Sequence, residues 1–216
     1  MRFPNAYKGI KKIFSGVIMA AVVVVLTVVM TVIVKAYGVG TDEFSADLTQ
    51  EQTYLMAILG MGYLLGIVVL SLAGLIAIFW GVVQAKKDDS HFNAAFFTAL
   101  LTLVIGFIVT FLLKNVPQIQ RWVQFGASVC GMLTQFFVLS GIASLAEKMV
   151  DGKVKAMAEK ARIVVCAVSI VSTVASLISA YVPDAVSLEF VSYALSIASA
   201  LYYLTVLAKG KKMLAG

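Results

Sequence analysis

The stretch Tyr54–Val83, YLMAILGMGYLLGIVVLSLAGLIAIFWGVV, decides the fold: thirty residues run without a charge or a proline. A hydrocarbon core about 30 Å thick needs only about 20 helical residues to cross it. This segment therefore crosses a bilayer with length left over for tilt or projection. Gly62, Gly66 and Gly74 recur at four- and eight-residue steps, and Ala73, Ala77 and Gly81 form a neighbouring row. Missing side chains at that spacing let a second helix approach closely, which favours packing and association in lipid. The segment is expected to be a central packing ridge.

The rest of the chain has the same character. Of 216 residues, 61% are hydrophobic and only 13% charged, and the mean hydropathy is +0.98. Soluble domains carry about 25% charged residues, so a water-soluble fold is excluded. The net charge of +6 does not point to nucleic acid, because the basic residues sit in short segments between apolar runs, which is the pattern of membrane topology. Cys130 and Cys166 both fall inside apolar runs, where a structural disulfide is not expected and thiols are normally inert.

Taken in order, the chain predicts one all-α integral membrane domain, residues 1–216, with six transmembrane helices at about 13–34, 54–83, 92–113, 122–146, 163–182 and 189–208. The first run exceeds the apolar core of a signal peptide, about 7–15 residues, and reads as a retained signal anchor. Gly38 and Gly40 end it, an acidic loop with Asp42, Glu43, Asp47 and Glu51 follows, and Thr49-x-x-Gln52 has the spacing of a capping box for the second helix. Asn115 is placed to cap and Pro117 to open the fourth helix. Asp151-Gly152 reads as a helix stop, Lys153–Arg162 as a helical lead-in to the fifth span, and Pro183-Asp184 as the break and cap before the sixth. Fourteen of the 17 basic residues lie in the leader, the second and fourth connections and the tail, so both termini are expected to be cytoplasmic. The expectation is an antiparallel bundle, multi-pass in a cell membrane, with the short loops and size of a prokaryotic plasma-membrane protein. Ala85-Lys86-Lys87, Ala146-Glu147-Lys148 and Ala208-Lys209 recur 61 and 62 residues apart, which suggests three tandem helical hairpins. Two spans with short loops take about 60 residues in any case, and that plainer explanation is preferred.

The middle of every span lacks Asp, Glu, Lys, Arg and His, and all three prolines lie outside the spans. Both features argue against an ion-coupled pump. Helix five carries Ser169, Ser172, Ser176 and Ser179 along one stripe; helix six carries Ser192, Ser196 and Ser199 with Tyr203 below. Such faces either enclose a polar pocket or pack the two helices together, and packing is the commoner use of small hydroxyl residues in membranes. Gln135, beside Thr134, is expected to find an interhelical hydrogen bond. Asp88, Asp89 and His91 could touch a metal, but a solvated loop with Asp89 or Ser90 capping helix three explains them better. No nucleophile elbow, phosphate loop, zinc pair or paired carboxylate is present. Neither an enzyme, a cofactor nor a metal site is expected.

Two classes of function remain. The first is a non-catalytic polytopic protein acting through helix association in the bilayer, with itself or with another membrane component, through Gly62, Gly66, Gly74, Ala73, Ala77 and Gly81. The alternative is a binding or transport protein for an uncharged or apolar small solute, with a weakly polar pocket between helices four and six. Gln135, Ser172, Ser176, Ser196, Ser199 and Tyr203 would border that pocket. In size and span number alone the chain is similar to the substrate-binding subunits of energy-coupling-factor vitamin transporters. Their Ala-x-x-x-Ala contact motif in the first helix is missing here: Ala20 and Ala21 are followed four residues on by Val24 and Val25.

Overall fold

The computed structural model describes residues 2–37, 50–111, 117–181 and 186–216. The expectations at Gly38, Gly40, Asp42, Glu43, Asp47, Thr49, Asn115, Pro183 and Asp184, and at the side chains of Glu51, Gln52, Ser176 and Ser179, lie outside the described residues. Six helices are described: α1 (Pro4–Tyr37), α2 (Gln50–Ala85), α3 (His91–Phe111), α4 (Pro117–Lys148), α5 (Gly152–Tyr181) and α6 (Val186–Ala215). There is no strand among the described residues. Among the described residues, five helices are long and apolar enough to cross a membrane, over Pro4–Ile33, Ile58–Ala85, His91–Ile108, Trp122–Lys148 and Val191–Ala215. Helix α5 opens on Lys153, Lys155, Glu159, Lys160 and Arg162, and is uncharged from Ile163 onward. It packs along both α4 and α6.

The helices outrun the apolar runs at the end of the bundle that holds both termini, here called the basic end. Helix α1 opens at Pro4 because the basic leader is itself amphipathic: Ala6, Ile10 and Ile13 recur at helical spacing and are fully buried. Chain neighbours pack as antiparallel pairs, and α6 returns to α1, so the six helices close into a ring in which the α2–α3 contact is the slightest between neighbours.

Helix α2 packs chiefly against α1 and only slightly against α3, so its glycines form a ridge towards one neighbour and not a centre for the bundle. At that seam Gly9 faces Gly81 and Gly16 faces Gly74: a Cβ added to Gly81 would sit 2.6 Å from Gly9 O, and one on Gly16 2.5 Å from Gly74 O. The two backbones touch. Farther along α2, Ile58, Leu59, Leu64, Leu65, Val68 and Leu72 are exposed.

The core sits at the basic end. Phe92 on α3, Leu139, Ile142 and Leu145 on α4, and Leu207 and Leu214 on α6 join Ile10 and Ile13 in one buried cluster. Glycines tighten it. A Cβ at Gly141 would run into the Phe92 ring, and one at Gly210 would lie 3.2 Å from Ile142 Cγ2.

The stop between α4 and α5 falls one residue earlier than Asp151-Gly152. Val150 takes the left-handed conformation, with φ 59°. Its N–H donates to Glu147 O (3.0 Å) and the Asp151 N–H to Ala146 O (2.9 Å), which is a Schellman closure. Asp151 then caps α5 by accepting from the Val154 N–H at 3.1 Å.

Candidate functional site

Two polar constellations lie inside the apolar fold, one at the basic end and one at mid-bundle. The first is built on the α2–α3 loop. Asp88 Oδ2 accepts from the Ala6 N–H at 2.7 Å and Asp88 Oδ1 from Asn5 Nδ2 at 2.8 Å. Helix α1 has no acidic residue in its own first turn, so its cap comes from this distant loop. Asp89 caps α3 by accepting from the His91 N–H at 2.9 Å, and His91 Nδ1 lies 2.8 Å from the same oxygen. Its other oxygen accepts from Ser144 Oγ (2.7 Å) and Lys148 Nζ (2.6 Å) on α4.

Asp89 caps α3 as expected, and Lys87, Ser90 and His91 of the loop are exposed, but Asp89 itself is not solvated: it is only 3% exposed. Burial by itself would raise its pKa, but the bonds from Lys148, Ser144 and His91 outweigh it and pull the carboxyl from 3.8 to about 2. With its oxygens filled by protein donors, the Asp89 carboxylate clasps the start of α3 to α4, while Asp88 beside it holds α1. No group of three or more His, Cys, Asp or Glu able to hold a metal occurs among the described residues.

The second constellation is a cavity of about 590 Å³ between α1, α4, α5 and α6. One wall is the valine-rich face of α1, including Val17, Ala21, Val22 and Val25. Opposite stand Gln135 from α4, Ser172 from α5, and Ser196, Ser199 and Tyr203 from α6. Val25 and Leu201 both line the cavity and are exposed, so it opens onto the outside of the bundle. Every described lining residue is uncharged at neutral pH.

The serines of α5 and α6 serve two purposes at once. Ser172 Oγ lies 2.9 Å from both Ser192 Oγ and Ser196 Oγ, and Ser192 Oγ donates to Ser172 O at 3.1 Å. These bonds zip the two helices together, and the same Ser172 and Ser196 face the cavity.

Gln135 does not make the interhelical bond expected of it. Its neighbour does: Thr134 Oγ1 donates towards Thr98 Oγ1 on α3 at 3.0 Å. Gln135, Ser199 and Tyr203 make no side-chain hydrogen bond to any described residue, although Tyr203 is only 3% exposed. Among the described residues the one unpaired side-chain polar atom that is fully sealed is Gln84 Oε1. The polar atoms of Gln135, Ser199 and Tyr203 are thus unpaired yet reachable.

A smaller cavity of about 150 Å³ adjoins the first, lined by Leu75, Phe79, Ala99, Thr102 and Leu103. Val17, Ile78, Gly131, Gln135 and Tyr203 line both and form the waist between them. A Cβ added to Gly131 meets nothing within 4 Å.

Of the α2 residues singled out for association, Gly74 and Gly81 are buried in the α1 seam, Ala77 is half-buried and Ala73 is exposed. Gly62 and Gly66 face open space. Sequence reasoning did not single out Gly9, Gly16 or Gly131; the seven-residue step from Gly9 to Gly16, matched by Gly74 to Gly81, was the available signal for the seam. No family model, curated protein or solved structure matches this chain, so its functional reading rests on its own geometry.

Proposed function

We propose that this protein binds an uncharged, mainly apolar small molecule within the membrane, in the cavity between α1, α4, α5 and α6. The observation that carries this reading is the lining: about 590 Å³ of space with a valine wall on one side and unpaired neutral hydrogen-bonding groups on the other. Ligand pockets are usually of about 300–1,000 Å³, mostly apolar, with a few convergent polar groups. The excess of basic residues at that end supports a cytoplasmic location for both termini, and the cavity would then open towards the middle and far side of the bilayer. Release to the cytoplasm would require the packed basic end to part, and binding is the activity the geometry supports best.

The test is native mass spectrometry of protein purified in mild detergent, followed by solvent extraction of whatever stays bound. A single defined neutral molecule, at about one per chain, is the expected result. Gly131→Leu adds a side chain at the waist, where its Cβ meets nothing within 4 Å, so it should empty the protein while leaving its melting temperature unchanged or higher. Retention of the same molecule by the variant would refute the cavity as the binding site.

Association is the second reading, supported by Gly62 and Gly66, which have nothing packed against them on a helix whose flanks are apolar and exposed. Under it, Gly66→Leu would dissolve an oligomer or release a co-purifying membrane protein, as read by native mass. An unchanged assembly would remove it.

A further inference from the structure

We infer that the molecule held in the cavity carries one neutral polar group between a long apolar part and a short one, as in an ester or ketone of a fatty chain. This deepens the binding reading and rests on it. The waist is where the chemistry concentrates. Gln135 and Tyr203 line the large cavity and the small one alike, and Ser199 lies one helical turn from Tyr203 on α6. Buried polar groups are paired in nearly all folded proteins, and leaving one unpaired is costly. Here three that line the large cavity go unpaired. A Tyr hydroxyl and the NH₂ of a Gln can both donate to one carbonyl oxygen, while the Gln carbonyl or the Ser199 oxygen can accept from a hydroxyl.

The space on either side sets the shape. Beyond the waist the small cavity, about 150 Å³, is walled by Leu75, Phe79 and Leu103, so it takes a short apolar group. The large one, about 590 Å³ and faced by α1 valines, takes the long chain. A carboxylate or phosphate is disfavoured, because no described cation lines either space and an unpaired charge in a low-dielectric site is expensive. The expected occupant is therefore polar in its interior and apolar at both ends.

The probes are ethyl palmitate, an alkane of equal chain length and free palmitate. Each competes against a diazirine-bearing analogue of ethyl palmitate on detergent-purified full-length protein, with covalent labelling read by mass spectrometry. Half-displacement by ethyl palmitate should need about tenfold less ligand than displacement by the alkane, the worth of one or two net hydrogen bonds. Palmitate should compete worst. Tyr203→Phe and Gln135→Leu should each shrink the ester–alkane difference several-fold while leaving the alkane unaffected. Tyr203→Phe should not lower the melting temperature, since the hydroxyl it removes is unpaired. Equal competition by ester and alkane in the unaltered protein, or an undiminished preference in both variants, would overturn the polar anchor while the cavity reading stands. Labelling that is absent from the unaltered protein, or that survives Gly131→Leu, would overturn the cavity reading itself.

Discussion

The basic end and the far half of the bundle are built from the same residue types to opposite effect. At the basic end, Gly9 meets Gly81, Gly141 meets the Phe92 ring and Gly210 meets Ile142. In the far half, Gly60, Gly62, Gly66, Gly106 and Gly126 meet nothing within 4 Å. Polar groups divide less cleanly. Asp88, Asp89, Asn5 and Ser144 find partners on other elements at the basic end, although Gln84 Oε1 there has none; at mid-bundle Ser172 bonds across to Ser192 and Ser196, while Gln135, Ser199 and Tyr203 are left unpaired. The difference teaches how little a membrane span says about its own packing. Lipid tails are as apolar as leucine, so without close backbone approach or polar bonds there is no drive for two spans to meet. Where both devices occur together the bundle is sealed. Where they do not occur together it is open.

The sharpest way to break this comparison is to swell a glycine on each side. Gly81→Leu would place its Cβ 2.6 Å from Gly9 O and 2.9 Å from Ile13 N, both backbone atoms that cannot swing aside. It should cost about 3 kcal/mol, the upper part of the overpacking range. Gly66→Leu should change the monomer's stability by about 0.5 kcal/mol or less. Reversible unfolding in mixed detergent micelles measures both, and equal losses would end the distinction between a sealed and an open half.

The clasp gives the next largest effect. Asp89→Ala removes an N-cap and the acceptor for Lys148 and Ser144, so a loss of about 2 kcal/mol is expected. Since folding lowers the Asp89 pKa from 3.8 to about 2, its contribution is complete above about pH 4 and disappears as pH falls towards 2. Asp89→Asn should start less stable and show a flatter acid limb than the unaltered protein. An identical acid limb in the variant would mean that Asp89 is not the group responsible.

The all-helical architecture was legible in the sequence because uninterrupted apolar length is a one-dimensional signal. The runs around Tyr54–Val83 and Trp122–Ala146 carry it without help from any partner. What stayed hidden depends on two elements at once. Gly74 and Gly81 were visible as small residues, but their use required Gly9 and Gly16, which lie on a helix read mainly as valine-rich. Gly62 and Gly66 have the same composition and no such partner, so spacing on α2 could not separate the two pairs. Asp89 read as a solvated loop residue because its partners Ser144 and Lys148 stand 55 and 59 positions away. Thr134 and Gln135 are adjacent, yet a 100° turn between successive helical residues sends the first to Thr98 and leaves the second at the waist. The serine stripes were legible as faces. That Ser172 and Ser196 both bond across the helices and line a cavity follows only from the three-dimensional arrangement.

The smallest effect sharpens the comparison from the packed side. Val150 holds φ 59° and is 89% exposed, so nothing about its side chain rewards a conformation that costs a β-branched residue about 1–2 kcal/mol. The turn persists because its surroundings fix it: the Schellman bonds from Val150 and Asp151, the Asp151 cap on Val154, and the Lys155–Glu147 ion pair at 2.9 Å all span it. Val150→Gly relieves the strain but gives the unfolded chain more freedom, worth about 0.4–1 kcal/mol in the opposite sense. The net should be a gain of about 0.5–1 kcal/mol, seen as a small rise in unfolding midpoint. Binding of the cavity probes should not change, because the turn lies at the basic end, away from the waist. A rise in stability that also altered probe affinity would show the two halves to be mechanically coupled, and the basic end would then be the gate of the cavity instead of its fixed floor.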